Sequence, residues 1–410
     1  MYLTVSKRFE FSASLRLERA DLSPFDNDAY FGSNRGGRYG TGFNVVVTLI
    51  FHGPVDPATG MLINVTTIKE RFKSIVDGRY DHKFLNSDTP PFNQIPPTLE
   101  NLAQQFLAEA IPLFSDQTGK PVACHIEAPP ASGATAYATG EVERDCWVLF
   151  SAARRTFSPH VSDEENRALF GIASSPLGHG HNYRLRVTIG DSFDPARGLI
   201  SACRVVRASL GAIRGKLDHK NLNLEVPELK GQPITTETLA RFCFHQLSSS
   251  LPVRRVQLFE MDDLFAEYRA DGRASLGAMT GFHAAHRLHS PLLDDRANLQ
   301  TYGKCNNPSG HGHWYQVEGT VTSKIDERTG TVADLNVLLA SMRAAIDPWS
   351  DRHLDLEIAD FRDKPSTSEN MVGILWNRLE ATARPELSRL RLWETPNNRF
   401  TLRRTDLNVK

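Results

Sequence analysis

Residues 302–315 read YGKCNNPSGHGHWY, residues 170–183 read FGIASSPLGHGHNY and residues 31–43 read FGSNRGGRYGTGF. The first carries Cys305 six residues ahead of His311, which is itself two ahead of His313. The second keeps the histidines and has Ala173 in place of the cysteine, and the third has neither, with Asn34 at the cysteine position. One framework written three times with different chemistry is the signature of an internal repeat, and an internal repeat sets the reading of the whole chain.

Working outward, each stretch is preceded by a version of one strand: FEFSASLRL (9–17), VLFSAARRT (148–156) and TGFHAAHRL (280–288). Each is followed by an alternating strand and an Asp/Pro/Gly turn leading into a helix, as in FHGPVDPATGMLINVTTIK, TIGDSFDPARGLISACRVVR and VTSKIDERTGTVADLNVLL. Then come YDHKFLN, LDHKNLN and WSDRHLD, and after them PTLENLAQQFLAEA, ITTETLARFCFHQL and STSENMVGILWNRL, where a Thr ahead of a Glu reads as the N-cap of an amphipathic helix. A closing strand carries Glu127, Glu260 or Glu394. The unit is about 130 to 140 residues long, with copies at 1–142, 143–276 and 277–410. PPASGATAYATGE supplies the last strand of copy 1 and a short linker. The fold class is α+β: an antiparallel four-stranded sheet with two helices on one face, the other face left to pack elsewhere.

The formal net charge of −1 argues against a general nucleic-acid or polybasic membrane binder. No run of about eighteen apolar residues is present, and MYLTVSKRFEFSAS reads as an alternating strand, so a soluble cytoplasmic protein is expected. Five scattered cysteines make no disulfide framework. Four of them read as small buried hydrophobes; Cys305 alone stands beside metal-type ligands.

Side chains at i and i+2 of a strand share a face, so His311 and His313 present two imidazoles side by side, with His286 of the preceding strand across from them. Three imidazoles without a fourth protein ligand describe a catalytic zinc site with one open position. Only copy 3 has all three. Copy 2 has Arg154 in place of the first histidine, where a guanidinium could occupy the pocket by pairing with an acid; copy 1 has Leu15, Tyr39 and Thr41 at the three positions. A thiolate is the reactive form of cysteine, and a facing His-Asp pair would favour it at Cys305. Such pairs exist as Asp81-His82 and Asp218-His219, whereas copy 3 has Ser350-Asp351 at that place. This complementary loss suggests one site assembled across two copies.

Together GKCNNPSGHGH, DHKNLN, the Thr-x-Glu helix start and the closing ET resemble the family of 6-pyruvoyltetrahydropterin synthase and 6-carboxytetrahydropterin synthase, proteins of the tunnelling fold. The resemblance covers the chain three times over. It implies a covalent pseudo-trimer closing a twelve-stranded barrel, and a homodimer of such chains. It also implies that His286, His311 and His313 hold Zn²⁺, that Cys305 is the catalytic thiol, and that Glu394 anchors the pterin ring. Asp218-His219 or Asp81-His82 would be a partner pair from a neighbouring copy, with Thr367 and Glu369 at a helix start that either caps or touches substrate. Copy 2 is the preferred donor, because eroded parts then meet eroded parts. The implied reaction converts 7,8-dihydroneopterin triphosphate to 6-pyruvoyltetrahydropterin. The 6-carboxy reaction of deazaguanine (queuosine) synthesis and an inactive pterin-binding homologue are the alternatives, and the C-x5-HGH spacing favours the first. Trp314, in HGHWY, departs from the family pattern and could alter strand pairing or pocket closure.

Overall fold

The structure, a computed structural model, describes residues 1–37, 39–128 and 132–408. Residues 129–131 of the expected linker lie outside the described residues, as does the side chain of Asn34.

Copy 1 contributes β1 (Tyr2–Leu15), β2 (Thr41–Pro54), a two-residue β3 (Lys83–Phe84), β4 (Lys120–Ala128) and β5 (Ser132–Tyr137). Copy 2 repeats the series as β6 (Val142–Arg154), β7 (His179–Ile189), β8 (Lys220–Asn221), β9 (Val253–Met261) and β10 (Leu264–Arg269). Copy 3 does so as β11 (Ala274–His286), β12 (His311–Ser323), β13 (Arg352–His353), β14 (Leu387–Thr395) and β15 (Asn398–Arg403). The sheet runs β10-β9-β7-β6-β5-β4-β2-β1-β15-β14-β12-β11, and a β10–β11 pairing closes it into a twelve-stranded antiparallel barrel. The seams between copies are ordinary ladders: Ser132 faces Cys146, Leu264 faces Ala278 and Thr4 faces Thr401. Closure removes the unpaired edges that an isolated copy would expose.

Period-two alternation explains the two faces of the wall. On β1, Leu3, Val5, Phe9 and Phe11 are buried outward, whereas Thr4, Ser6 and Arg8 line the lumen. Outside, Phe9 packs edge-on to Phe72 and Phe11 lies 5.7 Å from Phe106, rings carried by helices Val65–Ile75 and Leu99–Leu113. Each such aromatic buried between sheet and helix contributes about 1.5–3 kcal/mol. Thr98, Thr235 and Thr367 cap the second long helix of their copies, each side chain accepting a backbone N–H three residues on. No described helix is long and apolar enough to cross a membrane.

Candidate active site

β11 and β12 pair in a register that sets His286 directly opposite His311. His311 and His313 share the outward face with Tyr315, and the three rings converge: His286 Nε2 lies 3.2 Å from His311 Nε2, and one nitrogen from each histidine falls within a 4.8 Å cluster. Four ligands at about 2.0–2.1 Å in a tetrahedron stand about 3.3 Å apart, so the spacing suits a zinc-sized ion. Other features agree with that fit. His286 is fully buried with Nδ1 3.2 Å from the Ser366 carbonyl, the outer hydrogen bond that orients a ligating imidazole. His311 Nδ1 and His313 Nε2 are buried with no hydrogen-bond partner among the described residues. Burial, then the neighbouring histidines, pushes the His286 pKa down to about 4, and burial first lowers His311 as well; both are held in the neutral form that binds metal.

Cys305 sits in the tight turn Gly303–Asn306, entered from helix Asp295–Tyr302 through Gly303 at φ +53°. Gly171 and Gly32 do the same in copies 2 and 1, which is why this framework is glycine-marked three times. The groups nearest the sulfur do not by themselves favour the expected thiolate. The chain's own groups push the half-buried Cys305 thiol up, burial first and the Glu394 carboxylate second, with Lys304 opposing. Glu394 Oε1 is 3.8 Å from His313 Nε2 and 4.0 Å from His286 Nε2, while Asn398 donates to its Oε2 at 3.2 Å.

The copy that borders this pocket is not the one preferred from the erosion pattern. One edge of β1 carries both copy 3's closing turn and copy 1's Asp-His pair. Arg8 N–H donates to Asn397 O, and four residues on, about 13 Å along the strand, Ser12 O accepts the His82 N–H while Ser12 N–H donates to Asp81. Asp218-His219 hangs likewise on Ser151 of β6, the strand that pairs with β5 of copy 1, and the Asp351 N–H bonds His283 O of β11, the strand that pairs with β10 of copy 2. Copy 3 is therefore bordered by Asp81-His82, because the chain closes β15 onto β1. A loop of copy 1 seals the same pocket: Gly60 O accepts from Thr367 Oγ1 at 2.7 Å, Leu62 N–H donates to Glu369 Oε1 at 3.1 Å and Thr59 O accepts from Tyr302 at 2.6 Å. Thr367 and Glu369 thus work at the seam, Thr367 also as the helix cap, and burial pushes the Glu369 pKa up to about 8.

His82, His219 and Asp351 share φ of +56° or +57°, a left-handed backbone that His and Asp tolerate better than most residues. The imidazoles of His82 and His219 are exposed, each bonded through Nδ1 to its own aspartate at 2.8 and 3.1 Å. The Ser12 and Ser151 N–H groups, first among the causes, hold Asp81 and Asp218 below the usual carboxylate range. Ser350 makes no such bond; its hydroxyl turns to Ile346 O.

In copy 2, Arg154 stands opposite His179 as His286 does opposite His311, is 2% exposed, and hydrogen-bonds Glu260 and Thr236. The guanidinium, paired with an acid, stands at the place of the first histidine in that pocket. In copy 1 two positions shift. Leu15 pairs with Thr41 and Ala13 with Phe43, so Thr41 and Phe43, not Tyr39 and Thr41, occupy the two histidine places. The β2–β4 register matches Glu127 with Phe259 and Trp393, so its side chain faces the lumen and Ala128 takes the place of Glu260 and Glu394. A one-residue slip reverses the face of a strand residue, and the two closing-strand acids hid it in the sequence.

Asp355 and Tyr315 were missed. Asp355 accepts the Arg287 N–H at 2.7 Å and the Ser366 hydroxyl at 2.9 Å; Asn86 and Asn223 accept the matching N–H in the other copies, so the extra charge was visible as an Asn-to-Asp change. Tyr315 is fully buried with its hydroxyl 3.4 Å from His286. Trp314 leaves the pairing of β11 and β12 regular; its ring lies over Gly281 and 4.5 Å from His283, on the face away from the histidine cluster.

A family model described as 6-pyruvoyl tetrahydropterin synthase matches residues 4–138, 149–271 and 276–405. The chain is 40% identical over 128 residues to the 6-pyruvoyl tetrahydrobiopterin synthase of Homo sapiens, a match spanning 31% of this chain and 88% of the human protein. It is 42% identical over 125 residues to that of Drosophila melanogaster, covering 30% and 74%. The solved 6-pyruvoyl tetrahydropterin synthase of Caenorhabditis elegans, at 35% identity and a TM-score of 0.31, covers 32% of this chain and 95% of its own. Matched three times in tandem over most of its length, this chain belongs to the 6-pyruvoyl tetrahydropterin synthase family.

Proposed function

We propose that the chain is a lyase that converts 7,8-dihydroneopterin triphosphate to 6-pyruvoyltetrahydropterin with loss of triphosphate, at one composite site per chain. Copy 3 supplies His286, His311, His313, Cys305 and Glu394, and copy 1 supplies Asp81 and His82. The observation that carries the reading is that, among the described residues, one copy alone brings three imidazoles, a thiol and a carboxylate to one pocket.

His286, His311 and His313 would hold zinc, which when bound supplies a Lewis acid that acidifies the substrate's side-chain hydroxyls and the adjacent C–H. Glu394 accepts two hydrogen bonds from the ring N–H and 2-amino group of the pterin, a donor pair matched to one carboxylate. Its outer oxygen is already held by Asn398, which fixes its direction. Cys305 takes a proton from the side-chain carbon and returns one to the ring, so the ring gains the hydrogen that the side chain loses and no external reductant is needed. His82, backed by Asp81, is the group that takes the thiol proton, which burial otherwise holds on the sulfur. Buried Tyr315 and the Ser366 carbonyl keep the His286 ring in place.

Incubation with 7,8-dihydroneopterin triphosphate, followed by mass spectrometry of the products and metal analysis of the protein, tests this. The expected result is 6-pyruvoyltetrahydropterin with free triphosphate and a single zinc equivalent per chain. A 6-carboxy product with acetaldehyde, or no turnover by zinc-loaded protein, would overturn it.

A further inference from the structure

The inner face of the barrel encloses a cavity of about 1030 Å³, lined among the described residues by nine arginines and two glutamates. This lumen is separate from the candidate active site, which lies on the outward face of the wall beneath the helices.

The arginines are not evenly compensated. Where copies 1 and 2 line the lumen, pairing is close to one to one: Arg255 holds both oxygens of Glu143 at 2.8–2.9 Å, Arg186 pairs with Asp145, and Arg269 lies 2.6 Å from Glu267. The wall built by β14, β15 and β1 differs. Arg389 and Arg391 share one carboxylate, Glu318, at 3.1 and 3.2 Å, while among the described residues the Arg399 and Arg403 guanidinium groups hydrogen-bond the hydroxyls of Ser6 (3.3 Å) and Thr4 (2.9 Å). Four guanidinium groups have Glu318 as their one close carboxylate there, with Asp406 acting on Arg403 and Glu267 on Arg389 at longer range, and the buried Nε atoms of Arg391 and Arg399 have no hydrogen-bond partner among the described residues. Uncompensated like charge in a confined wall is costly unless a counter-charge enters it. Burial and neighbouring guanidinium groups both push Arg391 well below its usual range, and Arg399 goes down to about 10.

We propose that the lumen is a polyphosphate-binding site, with Arg389, Arg391, Arg399 and Arg403 taking a multiply charged chain of phosphate oxygens. Guanidinium forks match phosphate oxygens in pairs, and several forks on one wall suit a linear polyanion better than a single small ion. The shared chemistry is the polyphosphate group, whether free or as the tail of a nucleotide.

The full-length protein at low ionic strength is titrated with inorganic tripolyphosphate, with adenosine triphosphate, and with sodium chloride of matched ionic strength, reading the thermal unfolding midpoint. A ligand that binds only the folded state raises that midpoint. Tripolyphosphate is expected to raise it beyond the chloride control, and Arg391→Met/Arg399→Met to weaken binding by about tenfold or more, as loss of charge-assisted hydrogen bonds does. Stabilisation by both polyphosphates assigns recognition to the shared group; stabilisation by tripolyphosphate alone assigns it to the free anion. A shift no larger than with chloride, or one retained in the double variant, overturns the proposal. Should that variant fail to fold, arginine-directed labelling of the unaltered protein with mass-spectrometric readout replaces it. Tripolyphosphate must then protect Arg391 and Arg399, and unchanged labelling refutes the site.

Discussion

Copies 2 and 3 build the same pocket and fill it in opposite ways. Both present an H-x-H pair on the second strand and a glutamate on the closing strand, and they differ at the residue across from the first histidine: Arg154 in copy 2, His286 in copy 3. In copy 2 the glutamate is saturated. Glu260 accepts from Arg154 and from Thr236 through one oxygen, and His181 Nε2 lies 2.9 Å from the other. The Arg154 charge, opposing burial, holds its carboxyl well below the usual range. In copy 3, Glu394 has one amide partner and otherwise faces imidazole nitrogens at 3.8 and 4.0 Å. A cation built into the chain stands where the other copy leaves donors aimed at a shared centre. His179, His181 and Glu260 still cluster in copy 2, but there the buried carboxylate already has its positive partner in Arg154.

That contrast breaks most visibly in activity. Cys305→Ala or His313→Ala is expected to lower turnover by about 10³-fold, within the range for removing a nucleophile or acid–base group. His181→Ala, the copy 2 counterpart of His313, should leave turnover within about twofold. Steady-state product formation measures both, and comparable losses in the two copies would end the claim that one pocket reacts. Stability reverses the order of importance. Arg154→Ala should destabilise the chain by about 3–5 kcal/mol, because Glu260 then stays buried without its cation. Denaturant midpoints at constant m-value report it.

How much of this was legible beforehand depends on distance along the chain. The repeat, the helix caps, the histidine cluster and the pairing of Arg154 with an acid in copy 2 all rest on local spacing or on comparing aligned positions, and they were readable. What failed needed register or closure. Thr41 and Phe43 replace Tyr39 and Thr41, and Glu127 turns to the lumen, because each assignment hangs on which residues pair across strands; a one- or two-residue choice is invisible when two strands read equally well. The copy that borders copy 3 was hidden for a related reason: erosion patterns carry no handedness, while the pairing of β15 with β1 does. The rise in the Cys305 pKa follows from three-dimensional burial, which neighbours in sequence do not reveal. The third prediction targets the handedness directly. His82→Ala should lower turnover by about 10²-fold while His219→Ala leaves it unchanged, the assay being the same product measurement. The reverse pattern would mean that copy 3 works with the pair that the barrel sets beside copy 1.

The smallest expected effect separates the same two copies by pH. Glu369 and Glu237 are matching buried glutamates at the starts of their helices, each accepting a backbone N–H from the adjoining copy, from Leu62 and Val332 at 3.1 Å. Burial raises both, but Glu237 has the Arg154 charge drawing it back down, whereas Glu369 has the Glu394 carboxylate pushing it further up, to about 8. Between the ordinary carboxyl value of 4.5 and about 8, the folded chain therefore keeps a proton on Glu369 that the unfolded chain has released. A folded state that binds the extra proton loses stability as pH rises, so this contribution is full below pH 4.5 and is lost on passing through about 8. Glu369→Gln keeps an oxygen for the Leu62 N–H and has no proton to lose. Its denaturant stability should exceed that of the unaltered protein at pH 8 by on the order of 3 kcal/mol and converge with it towards pH 5. Glu237→Gln should show the same trend with a smaller gap, since Arg154 already favours the charged form. Equal pH slopes for the unaltered chain and Glu369→Gln would mean that the copy 3 glutamate is ionised in the folded state, and that the absence of a built-in cation is not what distinguishes the two pockets.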